Sequence, residues 1–176
     1  MFGCCNHTFG FGCCNRCCPT GAPTPMPTPP YFPPVTPPPA PPILRGMQLS
    51  LTTHSAGTVE SGEAIPFNSI VANNTVGLSY APTSGEVTFN CTGTYLVNWW
   101  VAIDNAQPQE VAFSLQLNGN EVQTSYSDIG GGQIYGTAIL PVSAIGSELS
   151  LVNASGGTIT YATTKGQAGM TVTQVK

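Results

Sequence analysis

The sequence predicts an all-β sandwich or barrel at the end of a proline-rich spacer, with a cysteine-rich head on the spacer's far side. Three observations make that prediction. From Ile43 onward apolar residues recur at every second position, and turn residues interrupt them about every eight to twelve positions. Between Pro19 and Pro42 stand 13 of the chain's 17 prolines, a composition in which neither helix nor sheet forms. The first 18 of the 176 residues hold three adjacent cysteine pairs, Cys4-Cys5, Cys13-Cys14 and Cys17-Cys18, and the rest of the chain holds only Cys91. The chain therefore divides into a head (1–18), a stalk (19–42) and one module (43–176), the last long enough to bury roughly two thirds of the surface its unfolded chain exposes.

Adjacent cysteines close on each other only with strain, so the six head thiols suit bonds to other segments or other chains. Three readings are open: intermolecular disulfides, a zinc site drawing on Cys14-x-x-Cys17 with the other head cysteines and His7, and intrachain disulfides or lipidation. The intervening Phe2-Gly3 and Phe9-Gly10-Phe11-Gly12 suit an adhesive tail that orders on docking. From Met1 to Asn6 no basic stretch precedes an apolar one, so no Sec-type export signal is expected. No run approaches the roughly 18 apolar residues that cross a bilayer, and no membrane partner is expected. The cysteine usage nevertheless suits an oxidising external setting, such as the one reached when a mother cell lyses around a spore.

In the stalk, proline fixes φ and removes backbone donors. Polyproline II at about 3.1 Å per residue makes the tract a semi-rigid spacer of roughly 75 Å. Recognition by a PxxP-reading domain is its functional alternative.

In the module, Leu49 and Leu51 alternate with Gln48, Ser50 and Thr52, and Val87 and Phe89 with Thr88 and Asn90. Val111, Phe113, Leu115 and Leu117 alternate with Ala112, Ser114 and Gln116. Each reads as a half-buried strand. Asn118-Gly119 is a type I′ hairpin signal and Gly130-Gly131-Gly132 a flexible turn. Gly156-Gly157 separates a strand ending near Asn153 from Thr158-Ile159-Thr160-Tyr161. In phase with Val87 and Phe89, Cys91 is expected to be a buried structural thiol. No stretch has helical periodicity.

From Thr94 to Ile103 the alternation changes. Tyr95, Val97, Trp99, Val101 and Ile103 give one apolar face, but Leu96, Trp100 and Ala102 put apolar surface on the other. A lone sandwich would leave that second face wet. Another subunit is expected to cover it, with Leu96 and Trp100 as interface residues; a covering loop is the alternative.

The order of short motifs is informative too. Thr58-Val59-Glu60-Ser61-Gly62-Glu63-Ala64-Ile65-Pro66-Phe67-Asn68 is followed by Gly77-Leu78-Ser79-Tyr80, Gly85-Glu86-Val87-Thr88-Phe89 and the run from Gly93 to Val101. Phe113 to Gly119, Leu149 to Gly157 and the closing Met170 to Val175 come later. In that order they resemble the C-terminal domain of the collagen-like exosporium glycoproteins of bacterial spores, relatives of the tumour-necrosis-factor (TNF) and complement globular-head superfamily. The resemblance spans Ile43 to Lys176 and implies a TNF-like jelly roll of about ten strands that assembles as a tight homotrimer.

Two parts depart from that family. A Gly-X-Y collagen region usually precedes the domain, yet tract 19–42 lacks glycine at every third position and cannot form a triple helix. The cysteine head instead resembles the cysteine-bearing N-terminal connectors of disulfide-linked spore appendage subunits.

Composition excludes other functions. Charged residues are 7% of the chain, against about 25% in an average protein. The net charge of −4 has no basic stripe within it, so nucleic acid is not an expected partner. Catalysis is not expected either. The module's one histidine, His54, would have to recruit Asp104 or Asp128 with no nucleophile elbow to mark a serine, and no glycine-rich phosphate loop opens a helix. Asp104, Glu110, Glu121 and Asp128 would hold calcium only if the fold gathered them. No cofactor is expected. Asn-x-Ser/Thr acceptors at Asn6, Asn73, Asn90 and Asn153 would matter only in a secretory pathway.

These readings point to a structural protein of a bacterial surface, a spore exosporium or appendage. It is expected to be a trimeric fibre or tip joined to other surface or filament subunits through disulfides of Cys4, Cys5, Cys13, Cys14, Cys17 and Cys18. The alternative is a lectin-like adhesin whose trimeric head recognises a glycan or host surface, with Tyr126, Tyr135 and Tyr161 lining the pocket.

Overall fold

The computed structural model describes residues 45–52, 57–104, 110–128, 131–163 and 166–176. The head cysteines, the stalk and His54 lie outside them. Twelve strands and no helix occur among the described residues: β1 (Arg45–Leu51), β2 (Thr58–Val59), β3 (Ser69–Asn73), β4 (Leu78–Ala81), β5 (Glu86–Phe89), β6 (Gly93–Ile103), β7 (Val111–Leu117), β8 (Asn120–Ser127), β9 (Gly132–Val142), β10 (Ser147–Asn153), β11 (Ile159–Thr160) and β12 (Ala168–Gln174). Ten of them form two five-stranded sheets, ordered β3-β1-β12-β6-β9 and β4-β5-β10-β7-β8, and β2 pairs with β11. Every pairing is antiparallel, and neighbours are often remote in sequence, as where β1 lies beside β12 and β10 lies between β5 and β7. That is a jelly roll, and the ten strands of its two sheets match the expected number.

Period two makes each strand a supplier of one inward row. On β6 the inward row is Tyr95, Val97, Trp99, Val101 and Ile103, all buried as the alternation predicts. Phe89 and Tyr95 meet at 4.6 Å between ring centroids, and Trp99 and Phe113 at 6.4 Å, both tilted. Trp99 fits because Gly136 lies opposite it on β9: a Cβ there would sit 2.6 Å from the indole ring. The indole Nε1–H donates across the sandwich to Gln123 Oε1 at 3.1 Å. Gln123 Nε2 donates to Ser125 Oγ, which donates to the Tyr135 carbonyl, tying edge strands β8 and β9 together. An edge carbonyl thus engaged is a poorer template for stray strands.

Tyr80 on β4 donates its hydroxyl to the Phe67 carbonyl at 2.8 Å, and burial pushes its pKa up to about 12. The hairpin signal is realised at Asn118 and Gly119, with φ of 52° and 74°, the left-handed pair a type I′ turn requires. Asn118 Oδ1 also accepts the Glu148 N–H.

Three expectations change. Cys91 is half-buried, because β5 ends at Phe89 and the thiol lies in the turn before β6, against Gly77. β7 is not half-buried: Val111 to Leu115 are buried throughout. The Ser155 hydroxyl takes up both the N–H and the carbonyl of Ala112, while Ser114 Oγ and its cross-strand neighbour Thr124 Oγ1 are buried with no hydrogen-bond partner among the described residues. Asn153 is fully buried, its Nδ2 donating to the Val59 and Gly157 carbonyls, so it pins a turn and cannot accept a glycan.

Candidate functional site

The outward positions of the β3-β1-β12-β6-β9 sheet form three rows, because the registers of β1, β12, β6 and β9 align residues across all four strands. Ser50, Gly169, Trp100 and Tyr135 make the first, Gln48, Thr171, Asn98 and Thr137 the second, and Gly46, Thr173, Leu96 and Ile139 the third. An aromatic row and an aliphatic row thus flank a polar one. Within the polar row Thr137 Oγ1 donates to Asn98 Oδ1 at 2.8 Å. No charged side chain occupies an outward position on these four strands. Tyr135 and Ile139 are 75% and 68% exposed. The opposite sheet differs: Glu86, Glu121 and Glu148 all stand on its outer face.

Trp100 and Leu96, the sequence-predicted interface residues, both lie on the uncharged face and both are half-buried within one chain. For Trp100 the reason is glycine. Its ring crosses β12 where a Cβ at Gly169 would stand 2.5 Å from the indole Nε1 and one at Gly166 3.3 Å from the ring. Beside it opens a hollow of about 330 Å³ lined by Gln48, Asn98, Gln133, Tyr135, Thr137 and Gly169 among others. The lining mixes amide, hydroxyl and aromatic groups with Leu49 and Met170, and carries no carboxylate, amine, imidazole or guanidinium.

The other candidates do not converge. Tyr126 is 63% exposed on β8, but Tyr161 is buried at 1% and lines no surface site; burial, with Glu63 nearby, pushes its hydroxyl pKa above the ordinary value. Asp104, Glu110 and Asp128 lie at the end of the sandwich where β6 and β8 finish and β7 begins, whereas Glu121 lies at the other end of β8, beside the Asn118–Gly119 turn. The four carboxylates therefore do not meet, and no cluster of three metal-ligating side chains occurs among the described residues. Gly132 opens β9 and is not free turn.

Two five-stranded antiparallel sheets in this order form a jelly-roll sandwich like those of TNF and complement globular heads. Among solved structures the chain is similar to murine APRIL, with a TM-score of 0.58 at 10% identity over 76% of this chain and 100% of that one. It is similar to the globular domain of zebrafish complement 1qA, with 0.53 at 11% over 73% and 93%. Eiger TNF from S. frugiperda gives 0.52 at 18% over 76% and 93%. At these identities the likeness is one of fold. No protein-family model matches the chain, and a search of curated proteins finds no significant match.

Proposed function

We propose that this chain is a structural component of a bacterial surface, a spore exosporium or appendage, in which three modules close into a tip displayed on proline stalks and anchored through the head cysteines. The observation that carries the reading is the uncharged outer face. A surface with Trp100, Leu96, Tyr135 and Ile139 outward and no carboxylate to repel a second copy suits self-association in a chain of net charge −4. The fold shared with TNF and complement globular heads supports closure about a threefold axis. Nothing in this role requires catalysis. Six head thiols per chain, brought together by trimerisation, exchange with an acceptor disulfide at high effective concentration, each thiolate forming a new S–S bond as the acceptor's other sulfur leaves as a thiol, and several such bonds hold where one is reduced.

Sedimentation of the full chain in reductant tests the assembly. A trimer is the expected result, and a stable monomer at micromolar concentration would sink it. Native material run on gels with and without dithiothreitol tests the anchor: release by reductant is expected, and release by chelator alone would reassign the head to zinc.

A lectin-like adhesin is the second reading, favoured by the neutral hollow beside Trp100 and by exposed Tyr126 and Tyr135. Aromatic faces with amide and hydroxyl groups match a sugar ring. Retention of a glycan by the reduced chain on an array, lost in Tyr135→Ala, would support it.

A further inference from the structure

We propose that the polar row Gln48, Thr171, Asn98 and Thr137 fixes the register and copy number of the assembly, by forming a hydrogen-bonded layer between copies of this chain. The inference rests on the trimeric reading above and concerns what makes that trimer unique.

Apolar rows attract without direction, so the Trp100–Tyr135 and Leu96–Ile139 rows alone would tolerate sliding and several stoichiometries. The row between them does not. Asn98 Oδ1 is engaged by Thr137, but the Asn98 Nδ2 hydrogens and the Gln48 amide have no hydrogen-bond partner among the described residues. In one exposed chain water satisfies them. Once an interface excludes that water, each unmet group costs about 1–3 kcal/mol, and only arrangements that bring polar row to polar row avoid the cost.

A threefold axis running along the strands supplies such an arrangement, because rotation about an axis leaves height along it unchanged. Every copy then presents its aromatic, polar and aliphatic rows at the same three levels. Rows are two residues apart along β6, about 6.8 Å. A slip of one row would set Asn98 against a neighbour's Leu96 or Trp100 and strand its amide. A polar group within an apolar seam is an attested device for selecting register and oligomeric state. The partner is a second and third copy of this chain.

The test uses the full chain in reductant, read by native mass spectrometry, sedimentation and far-ultraviolet circular dichroism. Asn98 is exposed, so its substitution leaves the core intact. Asn98→Leu is expected to keep the fold and to lose the single species, giving a mixture of oligomers. Asn98→Asp places like charges at one level and is expected to abolish assembly at neutral pH and to regain it below about pH 4, where carboxylates protonate. An Asn98→Leu chain that remains one trimer, or an Asn98→Asp chain that stays trimeric at neutral pH, overturns the proposal. A monomeric wild type overturns the trimeric reading itself, which is distinguishable because it is seen before either variant is made.

Discussion

The two sheets share one core and part company on their outer faces. The β4-β5-β10-β7-β8 sheet carries Glu86, Glu121 and Glu148 outward, the usual dress of a solvated surface. The β3-β1-β12-β6-β9 sheet carries no charge there and instead displays Trp100, Leu96, Tyr135 and Ile139. Net charge therefore keeps one side of the sandwich in water and leaves the other free for company. In the proposed trimer the boundary between folding and association runs through the single strand β6, where Trp99 points in and Trp100, the next residue, points out.

The largest expected effect tests that boundary. Trp99→Lys would put a charge into a site buried to 2% and remove the Gln123 hydrogen bond, a loss above about 4 kcal/mol that should leave no soluble folded chain by circular dichroism. Next comes Trp100→Lys, expected to keep the strand signal and abolish the trimer in sedimentation. Thr88→Lys, on the other sheet's outer face, should change neither; a trimer broken by Thr88→Lys would mean that the wrong face has been assigned. A smaller effect belongs to Gly136→Ala, whose Cβ would collide with the Trp99 ring: urea denaturation should register a loss of about 1–3 kcal/mol.

The smallest expected effect is alkaline. Folded Tyr80 holds its proton to about 12, whereas an unfolded tyrosine releases it near 10.0. The raised pKa contributes stability that is complete below pH 10 and lost as pH rises toward 12, and Tyr161 acts in the same direction. Denaturation midpoints measured from pH 8 to 11.5 should therefore fall only above about 10, and Tyr80→Phe should flatten part of that fall.

Alternation made the inward rows of β1, β5 and β6 legible, because a half-buried strand writes its two faces as two interleaved residue classes. The Asn118–Gly119 turn was legible for the same local reason, φ demand at two adjacent residues. Burial of both faces of β7 was not, since it arises from packing between residues remote in sequence, as where Ser155 meets the backbone of Ala112. Cys91 misled because phase persists in a sequence after a strand has ended. Strand β3 escaped notice: its five residues are all exposed, and an edge strand without a buried row has no period to read. For the candidate face, Leu96 and Trp100 were visible as apolar residues out of phase. Tyr135 was visible only as a pocket candidate of the adhesin alternative, and the rows themselves needed the register of strands far apart in the chain.

Strand β1 leads the module at Arg45, and seven consecutive residues from there to Leu51 pair with β12, Arg45 facing Gln174. A tensile load applied at Arg45 along β1 runs parallel to the strand and across its hydrogen bonds to β12. Those bonds are then sheared together and not peeled one at a time, the loading geometry in which a β ladder yields last. A pull directed along β1 would thus load seven residue pairs at once.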